Sequence, residues 1–408
     1  MSKELFSLGP QYVSDFLAPD EQPLCPLVEM KLMLNEDGIV HLEKMAPSDK
    51  LWGSRYWYSS SISDTMKSQL KDVVESTLEV YNVLDWEPRP YWLDIAGNSG
   101  YMLSQVPKDF TRINIDPVCQ NKAFYEEANS NCDIVIPDYF TEGILGGTKS
   151  INIVSCISMF YDLSDPTEFL NEVYAVMDVD GLFVLQMSYT PLMLEQLEFS
   201  NICHEHARYY CFFNLKALLE KHNFRVMDVS LNNTNAGSFR VYAMKKDADI
   251  KKFGSYTHRD VCNFRIESLL AYEKTLKLDE PEIWMDFYSR IKELKYETLS
   301  FLNEQKSLGK KVMGYGASTK FNSVLQTFGI TDLLISAIAE RSPAKYGRRT
   351  VGSNIPIISE QEMRDQQPDF LVIGPFQFLS EFMEREGEFL ERGGKFVCLM
   401  PQFLIIGK

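Results

Sequence analysis

Clustered positive charge is scarce in this sequence. Its 41 Lys and Arg stand against 57 Asp and Glu, for a formal net charge of −16. A general nucleic-acid surface needs grouped cations to attract phosphate, so that class of function is set aside. An anionic small molecule is still compatible, provided a local cationic pocket receives it. Long apolar runs are missing as well: none approaches the roughly 20 residues that span a bilayer. The start, Met1-Ser2-Lys3-Glu4-Leu5-Phe6, lacks the basic-then-apolar pattern of a secretory signal. A cytoplasmic protein with no membrane segment is therefore expected. The eight cysteines stand singly, none in C-x-x-C spacing, so neither a zinc knuckle nor a dithiol redox motif is visible. Internal repeats and low-complexity tracts are also lacking.

What is present is ample apolar material. The chain has 408 residues, 45% of them hydrophobic and 12% aromatic, enough for packed cores in two or three domains. Residues 1–80 read as a small β-rich module, although 62–83 carry a helical rhythm through Met66, Leu70, Val73, Val74, Leu78 and Val80. Residues 81–245 read as a Rossmann-like domain with a mostly parallel sheet, short apolar runs alternating with helical stretches from Tyr91 onward. Residues 246–308 read as a charged helical connector. A second α/β pattern fills 309–408, with strands expected at Lys311–Tyr315, Leu334–Ala339, Phe370–Ile373 and Lys395–Leu399.

Three stretches carry chemistry. In Leu93-Asp94-Ile95-Ala96-Gly97-Asn98-Ser99-Gly100 a strand runs into a glycine turn and then a helix. Gly97 and Gly100 permit backbone angles and a ligand approach that a Cβ would block. Asp116, at the end of the next strand, is placed to accept hydrogen bonds from a ribose diol. The stretch departs from G-x-G-x-x-G and offers no evident pyrophosphate cradle, which favours S-adenosylmethionine over NAD. Asp94 and Asn98 join the same candidate cofactor site. Any α/β turn can carry glycine, so the motif takes its weight from Asp116 and from Asp138 after the third strand. Asp138 suits an adenine amino group and a helix N-cap equally well.

Cys203-His204-Glu205-His206 holds two of only five histidines. A histidine pKa near neutrality suits reversible proton abstraction, and a neighbouring carboxylate can orient the ring. H-E-x-x-H would place two histidines on one helical face, whereas His204 and His206 share a face only in an extended segment, so no metal is expected. The pair can equally serve to satisfy buried polar groups. Finally, Tyr315-Gly316-Ala317-Ser318-Thr319-Lys320 follows a strand and opens a helix. Such a turn offers N–H groups to an anion; Ser318, Lys320, Arg348 and Arg349 can add to it. Plain strand-to-helix packing explains the turn as well.

The chain resembles the sugar C-methyltransferases, which act on nucleotide-linked 4-keto-6-deoxy sugars. The likeness rests on several stretches in order: Leu8-Gly9-Pro10-Gln11-Tyr12, Tyr56-Trp57-Tyr58-Ser59-Ser60, Ser158–Pro166, Gln186–Tyr189, Ile202–His206 with Tyr209-Tyr210, Asn235–Tyr242, Tyr315–Lys320 and Glu340–Arg348. The resemblance implies an N-terminal zinc module, an adenosylmethionine-binding Rossmann-like domain, and a C-terminal α/β domain that helps hold the nucleotide sugar. It also implies His206 as the base, Glu205 beside it, and Tyr58 facing the substrate. His206 then takes a proton next to the ketone, and the enolate carbon attacks the sulfonium methyl. His204, Tyr209 and Asn235 are open candidates for the enolate oxygen. The family's zinc cysteines are missing, with Leu34 and Asp37 where the second pair belongs, so no structural zinc is expected. Phe321 and Pro375-Phe376-Gln377-Phe378 also depart from the family pattern and leave the substrate open. O- or N-methylation of a small metabolite, and a degenerate non-catalytic binder, are the alternatives.

Overall fold

The computed structural model describes residues 2–52, 56–61, 63–81, 89–147, 150–254 and 256–407. The chain opens with strands β1 (Lys3–Gln11), β2 (Phe16–Leu17), β3 (Val28–Leu34) and β4 (Val40–Leu42). It continues through β5 (Tyr91–Ile95), β6 (Thr111–Ile115), β7 (Ile134–Ile136), β8 (Ile151–Ile157) and β9 (Met177–Ser188). Then come β10 (Arg208–Tyr209), β11 (Phe224–Asn232) and β12 (Ser238–Lys245). These build two sheets. One is small, in the order β1-β3-β4-β10; the other has seven strands in the order β7-β6-β5-β8-β9-β12-β11. In the large sheet β5 to β9 run parallel, and β12 is antiparallel to both its neighbours.

The sequence dictates which strand lies at the centre. β8 reads Ile-Asn-Ile-Val-Ser-Cys-Ile and is buried over its first six residues, as expected of a parallel strand covered on both faces. Its neighbour β5 buries Trp92 completely. The Trp92 Nε1 donates to Ser155 Oγ at 3.0 Å, and that hydroxyl donates to Asp94 Oδ1 at 2.7 Å. The core thereby fixes the acid at the strand's end.

The helix Asp64–Val80 starts at an N-cap serine, Ser63, which accepts from Met66 N. Its Leu70, Val73, Val74 and Val80 pack with Trp92, Met102 and Phe110, so it covers the seven-stranded sheet and not the N-terminal strands. Of the two connector helices, Tyr256–Leu276 lies along β11, whereas Pro281–Ser307 contributes Trp284, Phe287, Ile291 and Leu294 to a core shared with Phe6 and Met30 of the N-terminal sheet.

The last third of the chain forms β13 (Val312–Tyr315), β14 (Ile338–Glu340), β15 (Arg349–Thr350), β16 (Ile357–Ser359), β17 (Phe370–Ile373), β18 (Lys395–Cys398) and β19 (Leu404–Ile406). All but β15 make a six-stranded sheet in the order β16-β14-β13-β17-β18-β19, parallel except for β19. The strand expected from Leu334 begins only at Ile338, because residues 332–334 form a turn. β15 pairs instead with β2. The N-terminal strands thus pair with segments from both larger domains, β10 from the first and β15 from the last. Among the described residues, no helix is long and apolar enough to cross a membrane.

Candidate active site

Each large sheet has a cavity at its strand C-terminal ends, where strand order reverses and α/β folds place ligands. The first, about 390 Å³, opens over β5, β6 and β8. The second, about 300 Å³, opens over β13, β14 and β17. Tyr58 and Met66 line both.

The glycine turn lies at the first cavity. A Cβ on Gly97 would fall 2.3 Å from Asn114 Oδ1 and 2.5 Å from Asp94 Oδ2, so no other residue fits. Gly100 has φ +71°, and a Cβ there would meet Cys132 Sγ at 2.5 Å; it shapes the turn from behind and does not line the cavity. Asn98, at φ +54°, donates its N–H to Asp116 Oδ2 at 2.8 Å. Its side chain accepts from Ser60 N at 3.1 Å and donates to the Tyr58 carbonyl at 3.3 Å. The turn therefore holds both the ribose-type acid and the loop that separates the cavities. Burial pushes the Asp94 carboxyl up to about 7 and Asp116 up to about 6.

Among the described residues lining this cavity there is no Lys, Arg or His, while Asp94, Asp116, Asp162 and Asp165 are present. Such a wall fits a ligand with cationic character and repels a pyrophosphate. Asp116 beside Pro117 and Val118, with Tyr139 and Phe140 as flat apolar surface, fits an adenosine. Adenosylmethionine therefore fits the residues present. Asp138 is exposed and its Oδ1 accepts from Tyr139 N at 2.8 Å. The structure does not bring it into the cavity; the two aromatic residues after it line the wall instead.

The second cavity is lined by Lys320, Arg341, Lys345 and Arg385 together with Glu198, Glu340, Glu360 and Glu381. Many of these charges are paired. Arg385 bonds Glu360 at 2.8 Å and also Glu381; Arg341 reaches Glu381 at 3.4 Å and Lys345 reaches Glu340 at 3.4 Å. The Tyr315 hydroxyl lies 2.7 Å from Glu386 and 2.9 Å from Glu360. Ser318 caps the helix Thr319–Phe328, accepting from Phe321 N. Asn235, at φ +52°, also lines this cavity, and its Nδ2 lies 3.4 Å from Ser158 Oγ in the wall of the first. Arg348 does not line the cavity. It bonds Glu21 at 2.7 Å and the Phe16 carbonyl at 3.0 Å and stacks over Trp57, so it ties the N-terminal strands to the last sheet.

The segment Cys203–His206 lines neither cavity, although its neighbours Lys320 and Asp162 line the second and the first. His206 Nδ1 lies 2.8 Å from the Asn201 carbonyl, and Asn201 Oδ1 accepts from Lys320 Nζ at 2.7 Å. On its other side the His206 ring meets the edge of Tyr161, the neighbour of Asp162, at 4.2 Å. Burial and then the Lys320 charge hold the imidazole down to about 3. Glu205 is half-buried, its Oε2 has no hydrogen-bond partner, and burial raises its pKa. His204 is fully buried, 3.2 Å from the Gln11 carbonyl, and burial lowers it to about 4. It faces the N-terminal strands and lines neither cavity. Tyr209, in β10, is buried with an unpartnered hydroxyl and also lines neither.

The positions expected of the zinc module do not form a ligand set. Leu34 is buried in β3, and Asp37 sits in a turn where its N–H donates to Asn35. Among the described residues, one trio of potential ligands, Asp228, His258 and Cys262, lies within 4.8 Å. Both Asp228 oxygens are already engaged by Arg265.

The family described as a methyltransferase domain matches residues 65–229, and the C-methyltransferase C-terminal domain matches residues 233–401. The C-methyltransferase NovU of Streptomyces niveus is 26% identical over 373 residues, covering 90% of this chain and 85% of that protein. Among solved structures, magnesium protoporphyrin IX methyltransferase of Synechocystis, with bound SAH, is 11% identical. It covers 46% of this chain and 90% of its own, at a TM-score of 0.34. A SAM-dependent methyltransferase of Aquifex aeolicus is 18% identical, covering 44% of this chain and 98% of its own, at a TM-score of 0.29. With a methyltransferase domain and a C-methyltransferase C-terminal domain matched one after the other and a curated C-methyltransferase aligned across both, the chain is an S-adenosylmethionine-dependent methyltransferase.

Proposed function

We propose that this enzyme methylates a carbon next to the ketone of a nucleotide-linked deoxy sugar, with His206 as the base. The observation that carries the reading is the pairing of a cavity whose charged lining, among the described residues, is all acidic with one that gathers four cations, while His206 is tied through Asn201 to Lys320 of the second and meets Tyr161, the neighbour of Asp162 in the first. The nucleotide diphosphate would lie against Lys320, Arg341, Lys345 and Arg385, with the sugar directed towards Tyr58.

Bound adenosylmethionine supplies an electrophilic methyl, so the chain's own work is alignment and proton removal. A carbonyl only accepts hydrogen bonds, so His206 Nδ1 carries the proton facing Asn201 and Nε2 keeps its lone pair. The low pKa leaves that nitrogen free at neutral pH but makes it a weak base. A diphosphate seated on Lys320 offsets the lysine's charge and raises the proton affinity of His206 when substrate is present. For the developing enolate oxygen, Asn235 is the best placed of the three candidates, because it alone lines a cavity.

The test is incubation with adenosylmethionine and a panel of dTDP-, CDP- and GDP-4-keto sugars, followed by mass spectrometry. A gain of one methyl with at least one sugar is expected. Deuterium exchange at the carbon beside the ketone, without methyl transfer, separates C-methylation from O- or N-methylation. Neither exchange nor methylation with any sugar would remove the nucleotide-sugar reading.

A further inference from the structure

One buried carboxyl is used by neither the cofactor turn nor the base. Asp162 follows β8 and lines the first cavity. Its Oδ1 is buried without a hydrogen-bond partner. Around it stand Tyr56, Cys156, Tyr161, Cys203, Glu205 and Tyr209. All are acids or neutral groups, and no cation of the described residues offsets the carboxyl. Burial and the Glu205 charge both raise its pKa. Leaving a carboxyl in this state is costly unless a positive charge arrives to meet it.

Its position says where that charge would be. The methyl must pass from the first cavity to the second. The boundary is marked by Tyr58 and Met66 and by the Ser158–Asn235 contact; Asp162 follows Ser158 in the segment after β8, and Tyr56 lies within electrostatic reach of both Asp162 and Tyr58. With the ribose on Asp116, the sulfonium of the donor would lie towards this boundary. We infer that Asp162 is the counter-charge for the sulfonium of the methyl donor, so that the first cavity distinguishes charged adenosylmethionine from its neutral product through this residue. The inference rests on adenosylmethionine as the donor. Because the charge disappears on transfer, the carboxyl loses its partner at that moment, which favours release of S-adenosylhomocysteine.

Calorimetry on the full chain tests it with three ligands: adenosylmethionine, adenosylhomocysteine, and sinefungin, whose amine places a cation where the sulfonium stands. Asp162→Asn keeps shape and polarity and removes the charge. The expected result is that it weakens adenosylmethionine and sinefungin by about tenfold or more while leaving adenosylhomocysteine within about twofold. The adenosylhomocysteine value doubles as the control for folding, since all three ligands share the adenosine and amino-acid ends. An equal loss for all three, or no loss for the cations, overturns the role of Asp162 and leaves the donor assignment standing. A wild-type chain that binds none of the three would overturn the donor assignment itself, and this inference with it.

Discussion

The two large sheets share a plan and differ in charge. Counted along the chain within each domain, both order their first five strands 3-2-1-4-5 and open a cavity at the switch between strands 1 and 4. They diverge beyond strand 5: the first inserts antiparallel β12 between β9 and β11, and the second ends on antiparallel β19. Among the described residues, the first cavity keeps its acids without lining cations, and burial raises Asp94, Asp116 and Asp162. The second holds cations and acids against each other. One backbone plan therefore carries two cavities of different charge, and the distinction lies in side chains carried by the loops and helices.

The sharpest way to break the comparison is to remove the group tied to both cavities through its neighbours. His206→Ala should lower turnover by about 10²–10⁴-fold while adenosylhomocysteine affinity stays nearly unchanged. A large loss of that affinity would mean the histidine holds the first cavity together. Next, Asp116→Ala should weaken adenosylhomocysteine roughly 10–100-fold and leave nucleoside diphosphate binding alone, by calorimetry with each ligand. In the second cavity Arg385→Gln leaves Glu360 and Glu381 without this partner. It should weaken a nucleoside diphosphate about tenfold and spare adenosylhomocysteine. Equal effects on both ligands would show that the cavities are not independent.

The smallest effect concerns stability without ligand. Asp94 and Asp116 have folded pKa values near 7 and 6, above the usual carboxylate range. At these two carboxyls the folded chain binds protons more tightly than the unfolded chain between about pH 4 and 7, so their contribution to stability falls as pH rises through that window, while the lowered His204 and His206 act in the opposite direction below about pH 6.5. The comparison that isolates the carboxyl is with Asp94→Asn: from pH 8 to pH 6 the melting temperature of the wild type should rise relative to that of the variant by a few degrees, to order of magnitude.

Much of the first cavity was legible because its geometry tolerates few residues. Only glycine fits at Gly97, and Asp116 closes the next strand at its expected place. Asp138 obeys the same end-of-strand rule but points outward, because rotation of the chain after β7 is a matter of loop geometry that no residue type announces. His204 and Arg348 looked chemical and proved to be packing and cross-domain ties. The acids of the second cavity were not found. Glu198, Glu360 and Glu381 come from separate segments, and in a chain with 57 acidic residues such positions look like ordinary solvated faces. The strands β14, β16 and β19, three residues each, are too short for a periodic signal.

β10 comprises only Arg208 and Tyr209, pairing with His41 and Val40, and it begins two residues after His206. β2, in the same N-terminal stretch, holds Arg349 and Thr350 of the last domain. The first forty-two residues thus act as a jig that clamps the His206 segment from one side and the last domain from the other. An exchange of donor or acceptor domains between related enzymes must keep this jig matched to both, because the distance the methyl travels is set during folding.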